Sequence, residues 1–261
     1  MTEMNESPLL SPVEAPAARI LNGNGRSPAL LVCEHASRFI PNALNGLGLD
    51  AAAARSHAAW DIGALDLSVE LTGALDAPLV HSRVSRLVYD CNRPPAAHDA
   101  IPPKSEIYPV PGNAGLTEEQ KAQRVRDVYE PFRALLSQTL DARPVPPVLI
   151  TIHSFTPVYK GQARSVELGI LHDSDDRAAQ ILLREAQGSG LKSALNEPYS
   201  ATDGVTHTLR EHANARGLAN VMIEVRNDLI DSPTGVNRIA GLLAPMLQNM
   251  INELDPPEAQ S

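Results

Sequence analysis

Three apolar, strand-like segments of this chain each end directly in an ionisable side chain. The segments and the residues that follow them are 29–33 with Glu34 and His35, 148–152 with His153, and 221–223 with Glu224. Ligands of open α/β sheets bind outside the carboxyl ends of the strands, so these side chains are expected to meet at one edge of a sheet. Two histidines and a carboxylate at such an edge would suit a hydrolytic metal site.

Alternation of strand-like and helix-like segments indicates an α/β fold with a largely parallel sheet. Strands are predicted near 28–34, 78–82, 86–90, 147–153, 166–172 and 220–225. Helices are predicted near 49–58, 62–75, 117–140, 174–190, 206–216 and 232–254. The stretch 94–116 is rich in proline and glycine and is predicted to be a long ordered loop, a feature that is often functional.

The chain has 261 residues, of which 43% are hydrophobic. That is enough for one large α/β core, although length alone also allows two smaller domains. We predict a loosely ordered segment over residues 1–26, a single folded domain over 27–254 and a frayed tail over 255–261.

Charge and cysteine content narrow the class of function. The formal net charge is −9 and no basic stripe is present, which argues against a nucleic-acid partner. An anionic substrate would need a local arginine cluster. Cys33 and Cys91 are predicted to be buried free thiols rather than a disulfide or zinc site. No segment approaches the ~20 apolar residues of a membrane span, and the expectation is a soluble cytoplasmic protein.

His35 and His153 fit the imidazole positions of a catalytic zinc site, which commonly adds one carboxylate and keeps one position for water. The alternative is that each is a hydrogen-bonded residue at the end of a strand. Asp61 is the preferred third ligand, although it would also serve as N-cap of a helix beginning at Ile62. Glu34 is the other option for this ligand, but neighbouring side chains of an extended chain point to opposite faces.

Glu224 is the candidate general base, because a carboxylate beside a metal can take a proton from water and pass it to the leaving amine. The alternative is a salt bridge to Arg226, two residues further along the same strand face.

The segment 81–94 is unusually polar for a strand-like stretch and contains several arginines. Arg93 precedes a proline and is therefore held extended, which suits a guanidinium that clamps a carboxylate. The alternative is an ion pair of Asp90 with Arg93 or Arg86 that fixes the loop. His207 lies in a loop that enters a predicted helix and could reach the same site.

Seven segments, in the right order, together resemble the N-formylglutamate amidohydrolase family. They are 33–37, 60–61, 85–94, 152–154, 168–169, 204–207 and 223–224. The most specific of them is Asp-x-Asn-Arg-Pro at 90–94. The resemblance covers most of residues 28–230.

The family is similar to zinc carboxypeptidases and aspartoacylases. This implies a single-domain, three-layer α/β/α fold of the phosphorylase/hydrolase type around a mixed, mostly parallel sheet. It also implies one zinc ion per chain and hydrolysis of the amide of an N-acyl amino acid, such as N-formylglutamate, by metal-activated water.

Carried over to this chain, the resemblance makes His35 and His153 zinc ligands, Glu224 the water-activating glutamate and Arg93 a substrate-carboxylate ligand. The expected substrate-binding set is Arg86, Asn92, Arg93, His207 and Arg226. Two positions depart from the family pattern. Arg38 stands where the carboxypeptidases carry the glutamate of His-x-x-Glu, and Glu-His-Ala-Ser at 34–37 replaces Pro-His-x-Gly. The hydrolytic chemistry therefore follows more directly than the formylglutamate substrate.

Two other classes of function compete with this one. A non-catalytic protein that binds a small carboxylate could keep the same fold, but the full set of ligands and base favours an enzyme. A serine hydrolase using Ser154 would be expected to show a Gly-x-Ser-x-Gly elbow, which the sequence lacks. The expected partner is a small N-acyl amino acid or amide, and a homo-oligomer is compatible with the sequence.

Overall fold

A seven-stranded mixed sheet forms the centre of the molecule. The computed structural model describes residues 7–254. Its strands are β1 (Ala18–Leu21), β2 (Ala29–Cys33), β3 (Leu79–Ser82), β4 (Lys104–Ser105), β5 (Tyr108–Pro109), β6 (Val148–Phe155), β7 (Val158–Tyr159), β8 (Gln162–Ala163), β9 (Leu168–Leu171), β10 (Ser193–Leu195) and β11 (Asn220–Arg226). The sheet order is β1-β3-β2-β6-β11-β9-β10, and β4–β5 and β7–β8 are separate hairpins. Only β1 with β3 and β9 with β11 pair antiparallel within the sheet.

Helices cover both faces of this sheet. They are α1 (Ala64–Leu75), α2 (Glu118–Arg124), α3 (Glu130–Asp141), α4 (Arg177–Ala186) and α5 (Pro233–Leu254). One face packs against α1, α4 and α5, and the other against α3 and the turns over 209–216. Successive residues of a strand point to opposite faces, so each central strand contributes to both cores. The predicted three-layer α/β/α class is therefore confirmed.

The central strands β2, β6 and β11 are parallel and bring their carboxyl ends to one edge. Every residue of β2 and β6 is buried, as expected for strands covered on both faces. In the β6–β11 register, Glu224 lies opposite His153. His35 follows β2 by two residues, so the sheet delivers the three predicted site residues to one place.

The structure differs from the sequence prediction in three irregular segments. Residues 49–58 contain only a short 3₁₀ turn, Ala53–Arg55. The helix predicted at 206–216 is present, but it consists of a π-helix, Leu209–Ala213, followed by a 3₁₀ turn, Asn214–Arg216, rather than a regular α-helix. No strand forms at 86–90. Its apolar side chains are buried, but the Val88 N–H bonds to the Ser85 carbonyl within a turn, so the segment has no strand neighbour.

Residues 7–26 form more regular structure than the sequence predicts. We expected residues 1–26 to be loosely ordered, yet β1 pairs with β3, and Leu9 and Leu10 are buried. Arg83 holds the segment by donating to the carbonyl groups of Glu14 and Pro16. Residues 1–6 and the predicted tail 255–261 lie outside the described residues.

Three smaller predictions can be compared directly. The helix predicted near 117–140 begins with a capping box of Thr117 and Gln120, but a π turn at Val125–Tyr129 separates α2 from α3 and places Pro131 in the first turn of α3. Cys33 and Cys91 are buried free thiols, as expected. Every helix within 7–254 is too short or too polar to cross a membrane.

Candidate metal centre and active site

His35, Asp61 and His153 converge at the carboxyl ends of the central strands. One potential ligand atom from each residue lies within 4.8 Å of the other two. The Oδ2 atom of Asp61 is 2.9 Å from Nδ1 of His153 and 3.3 Å from Nδ1 of His35. All three side chains are buried, so a single buried point is surrounded by two imidazole nitrogens and one carboxylate oxygen.

The backbone before α1 aims Asp61 at the histidines rather than at the helix. Helix α1 begins at Ala64 with Gly63 as its N-cap, so Asp61 does not have the predicted capping role. Gly63 has a φ of 78°, and a Cβ there would lie 2.1 Å from the carbonyl oxygen of Ile230. Glycine is therefore required at this bend. The amide of Asp61 donates to the carbonyl of His35, which joins the two candidate ligands through the backbone.

Each histidine has a second carboxylate at its other ring nitrogen. Nε2 of His35 lies 2.7 Å from Oδ1 of Asp90, and Nε2 of His153 lies 3.1 Å from Oε2 of Glu34. Metal-binding histidines commonly contact a carboxylate in this way, which fixes the tautomer and the ring orientation. Glu34 therefore contacts the far side of His153 and lies outside the group formed with Asp61.

Arg86 links the two aspartates of this network. Its guanidinium donates to Asp61 at 3.2 Å and to Asp90 at 2.8 Å. Burial alone would raise the pKa of both aspartates, but His35 and Arg86 outweigh it, so the pKa of Asp61 is lowered and that of Asp90 lies well below its usual range. Burial alone would lower the pKa of His153, yet Glu34 and Asp61 raise it well above its usual value. The carboxylates are therefore held ionised.

Glu224 is a buried carboxylate of a different kind. Within residues 7–254 its Oε2 atom has no hydrogen-bond partner. Burial raises its pKa to about 7, with a further contribution from Asp61. The alternative of a salt bridge to Arg226 is not observed, because Arg226 pairs with Glu167 and Asp228. Glu224 can accept and return a proton near neutral pH, as a general base must.

A cavity of about 180 Å³ opens onto these residues. Its wall contains the three candidate ligands, Glu224 and three of the predicted substrate-binding residues, Arg86, Asn92 and Arg93. The Asn92 side chain bonds to the backbone of Val205 and Thr208, and so fixes the wall. Nε of Arg93 donates to Asp99, and its Nη1 donates to the carbonyl of Gly204.

The structure does not bring two predicted substrate-binding residues into this wall. His207 lies in a neighbouring groove, and its Nε2 is 2.8 Å from the hydroxyl of Tyr129. Arg226 is turned to Glu167 and Asp228 at the end of β11. Substrate binding by these two residues remains a prediction. The loop ion pair that we weighed for Arg86 is formed with Asp90, whereas Arg93 pairs with Asp99 instead.

Sequence reasoning missed several residues of the cavity wall. His57 is not among the residues that the sequence predicts for the site, but it lines the cavity and its Nε2 is 2.6 Å from Oε2 of Glu106. Tyr159 and Tyr199 also line the cavity. The one signal in the sequence was the prediction that 94–116 is an ordered loop of a kind that is often functional. Glu106 lies within this loop, on the β4–β5 hairpin.

The profile of the N-formylglutamate amidohydrolase family matches residues 27–231. The chain belongs to this family. Membership makes the protein a hydrolase that acts on amides, and it confirms the resemblance found in the sequence. A search of curated proteins gave no match.

Two solved structures are similar to this chain. A gene product of Agrobacterium tumefaciens is 46% identical, with a TM-score of 0.92 over 95% of this chain and 99% of its own. An N-formylglutamate amidohydrolase from Ralstonia eutropha has a TM-score of 0.63 at 16% identity, over 92% of this chain and 98% of its own, and so shares the fold. Both alignments extend over more than nine-tenths of this chain.

Proposed function

We propose that this protein is a zinc-dependent amidohydrolase that cleaves an N-acyl amino acid such as N-formylglutamate. One observation carries the proposal: Nδ1 of His35, Nδ1 of His153 and a carboxylate oxygen of Asp61 surround one buried point beside Glu224. Family membership supports the reaction class, and the geometry supports the metal.

The residues present fit a catalytic zinc. Two imidazole nitrogens and one carboxylate oxygen are a common protein ligand set for such an ion, which keeps a further position for water or substrate. The opposite ring nitrogens lie against carboxylates, as expected for histidines that bind a metal through Nδ1. His35 is hydrogen-bonded to Asp90, and His153 lies at ion-pair distance from Glu34. A zinc ion bound there would lower the pKa of water and polarise the substrate carbonyl.

Glu224 is the proton carrier of the proposed reaction. It takes a proton from the attacking water as the water oxygen bonds to the amide carbonyl carbon. It then delivers that proton to the amide nitrogen as the C–N bond breaks, so the products are a carboxylic acid, formate for a formyl substrate, and a free amino acid. A pKa raised to about 7 by burial suits both transfers.

Arg93 is the best candidate to hold the substrate carboxylate. Arg86 is already engaged by two buried carboxylates, whereas Arg93 pairs with one, Asp99, that is partly exposed. Within the described chain, Nη2 of Arg93 donates to no other group. This nitrogen is therefore available at the cavity wall, where a guanidinium can bind a carboxylate strongly.

The test combines metal analysis with hydrolysis of N-formyl amino acids. Wild type should contain about one zinc per chain, and His153→Ala should lose it, whereas His98→Ala, at an exposed histidine, should keep it. Glu224→Gln should keep the metal and lose about 10²- to 10⁴-fold in kcat, because only the proton carrier is removed.

Other outcomes would contradict this function. A wild-type protein that binds no metal after incubation with zinc would exclude the metal mechanism. If it also bound small carboxylates without turnover, the non-catalytic alternative would be correct. Full activity of Glu224→Gln would remove Glu224 from the reaction.

A further inference from the structure

Arg164 is a cation beside the catalytic cavity that pairs with no carboxylate among residues 7–254. Its Cζ atom lies 4.6 Å from the ring centre of Tyr159, 4.9 Å from that of Tyr199 and 5.5 Å from that of Phe155. Tyr159 and Tyr199 line the cavity. Aromatic faces attract a guanidinium, so the three rings hold Arg164 in place without neutralising its charge.

Arg164 also fixes the hydroxyl group of Tyr199. Its Nη1 donates to the Tyr199 oxygen at 3.2 Å and to the carbonyl of Thr156 at 3.4 Å. The bond from Arg164 is the one hydrogen bond of the Tyr199 hydroxyl within the described part of the chain. Because the oxygen accepts from Arg164, its own proton must point elsewhere, and it is free to donate to a group bound in the cavity.

Tyr199 lines the same cavity as Glu224 and Arg86. Burial and the Glu224 carboxylate raise the pKa of Tyr199 to about 12. The hydroxyl therefore keeps its proton at neutral pH and acts as a donor.

We propose that Tyr199 is a catalytic residue that donates a hydrogen bond to the oxygen of the reacting carbonyl, and that Arg164 is a positioning residue for this hydroxyl. The proposal rests on the amidohydrolase function above. Negative charge develops on the carbonyl oxygen when water attacks, and a pre-oriented donor stabilises that charge more than it stabilises the substrate. The proton stays on Tyr199 throughout, so no further reactant is needed.

A second contact connects this pair to the general base. Nη1 of Arg226 donates to the backbone carbonyl of Arg164 at 3.3 Å, and Arg226 lies two residues beyond Glu224 on β11. The loop that carries Arg164 is thereby attached to the strand end that carries Glu224. Arg226 thus supports the cavity wall through the backbone.

The experiment measures kcat and KM of zinc-loaded protein on the N-formyl amino acid that wild type hydrolyses fastest. Tyr199→Phe should lower kcat about 10²-fold with KM within about 3-fold, because the donor acts in the transition state. Arg164→Gln should lower kcat about 10-fold, since the hydroxyl remains but is less well oriented, and Arg164→Lys should recover part of the loss. Tyr108→Phe, at a half-buried tyrosine outside the cavity wall, is the control.

A spectroscopic measurement separates positioning from general structure. With ¹³C at the tyrosine Cζ atoms, the Tyr199 resonance is identified by its loss in Tyr199→Phe. It should shift in Arg164→Gln and largely return in Arg164→Lys. Tyr159, whose ring also packs against Arg164, will respond as well, while the remaining tyrosine resonances stay in place. This readout requires neither metal nor turnover.

Each outcome is decisive. If wild type is active and Tyr199→Phe matches Tyr108→Phe in kcat, Tyr199 is not catalytic, and the proposed function stands. If the Tyr199 resonance is unchanged in Arg164→Gln, the positioning role is wrong. If wild type hydrolyses no N-acyl amino acid, the proposed function fails and the role of Tyr199 in that reaction fails with it.

Discussion

The sheet face that packs against α1, α4 and α5 and the carboxyl-end edge of the central strands are built from opposite kinds of side chain. Against α1, α4 and α5, the sheet buries a continuous apolar cluster that includes Leu31, Ile150 and Leu247. At the edge, the same strands place buried ionisable groups within contact distance of one another. Burial of apolar area stabilises the fold, whereas burial of charge costs free energy unless the charges are paired.

This difference indicates that the two regions have separate roles, stability for the face and the candidate site for the edge. The apolar face supplies stability that offsets the free-energy cost of burying His35, Asp61 and His153 together at the edge. Arg86 and Asp90 reduce the free-energy cost of burying these charges, because Arg86 pairs with Asp61 and Asp90 pairs with His35. Substitutions on the face should therefore change stability and leave metal affinity unchanged, whereas substitutions at the edge should change metal affinity.

The largest effect is expected at the apolar face. Leu247 lies on α5 with none of its surface exposed, in contact with the cluster below α1 and α4. Leu247→Ala should reduce the free energy of unfolding by about 2–5 kcal/mol, because it removes buried methyl groups and leaves a cavity. Chemical denaturation measures this change, and zinc titration of the folded variant should give a dissociation constant within about 2-fold of wild type.

The matched control is Val69→Ala, at a position on α1 that is 43% exposed. This substitution should change stability by no more than about 0.5 kcal/mol. A Leu247→Ala variant that folds stably but binds zinc much more weakly would show that face and edge are not separable.

The next effect is expected at the edge. Asp90 contacts Nε2 of His35 and the guanidinium of Arg86. It would therefore act on a bound metal through His35 rather than as a ligand. Asp90→Asn should weaken zinc binding about 10- to 100-fold, because the orientation and basicity of His35 depend on the carboxylate. Competition with a coloured chelator measures the dissociation constant.

Asp141→Asn provides the comparison for Asp90→Asn. Asp141 also pairs with an arginine, Arg216, but its side chain is 65% exposed, and it is absent from the cavity wall. It should leave zinc affinity unchanged. Equal zinc affinity in both variants would mean that the carboxylate beside His35 has no effect on the metal.

The contrast between face and edge also explains what the sequence could predict. The strands β2, β6 and β11 were predicted because long apolar runs are local signals of burial, and their ends located His35, His153 and Glu224. The segment 86–90 carries the same apolar signal but lies in a turn. Hydrophobicity marks burial there, and only the neighbouring chain decides whether a strand can pair.

Contacts at the edge were harder to predict because they join residues far apart in sequence. Asp90 meets His35 across 55 positions, and Glu106 meets His57 across 49. Neither pair shares a helix or strand whose period could reveal it. Arg226, two residues beyond Glu224 on the same strand, was predicted to bind substrate. Strand β11 ends at this residue, and its side chain turns to the carboxylates of Glu167 and Asp228.

The smallest expected effect concerns a buried polar residue outside both regions. His212 lies in the turns on the second face of the sheet, with Nδ1 3.3 Å from the hydroxyl of Ser137. Burial, together with Arg216 and His207, lowers the pKa of His212 to about 4. The unfolded chain therefore binds this proton near its ordinary pKa of about 6.5, before the folded protein does, so stability is lost as pH falls from about 6.5 toward 4.

Between pH 7 and pH 5 the loss should be about 1–2 kcal/mol. Denaturation midpoints at the two pH values should differ less for His212→Gln than for wild type, whereas His98→Gln, at an exposed histidine, should behave as wild type. If His212→Gln and wild type lost equal stability, His212 would not be the source of the pH dependence, which would then have to come from other groups whose pKa values are shifted in the same direction, such as His81 and His207.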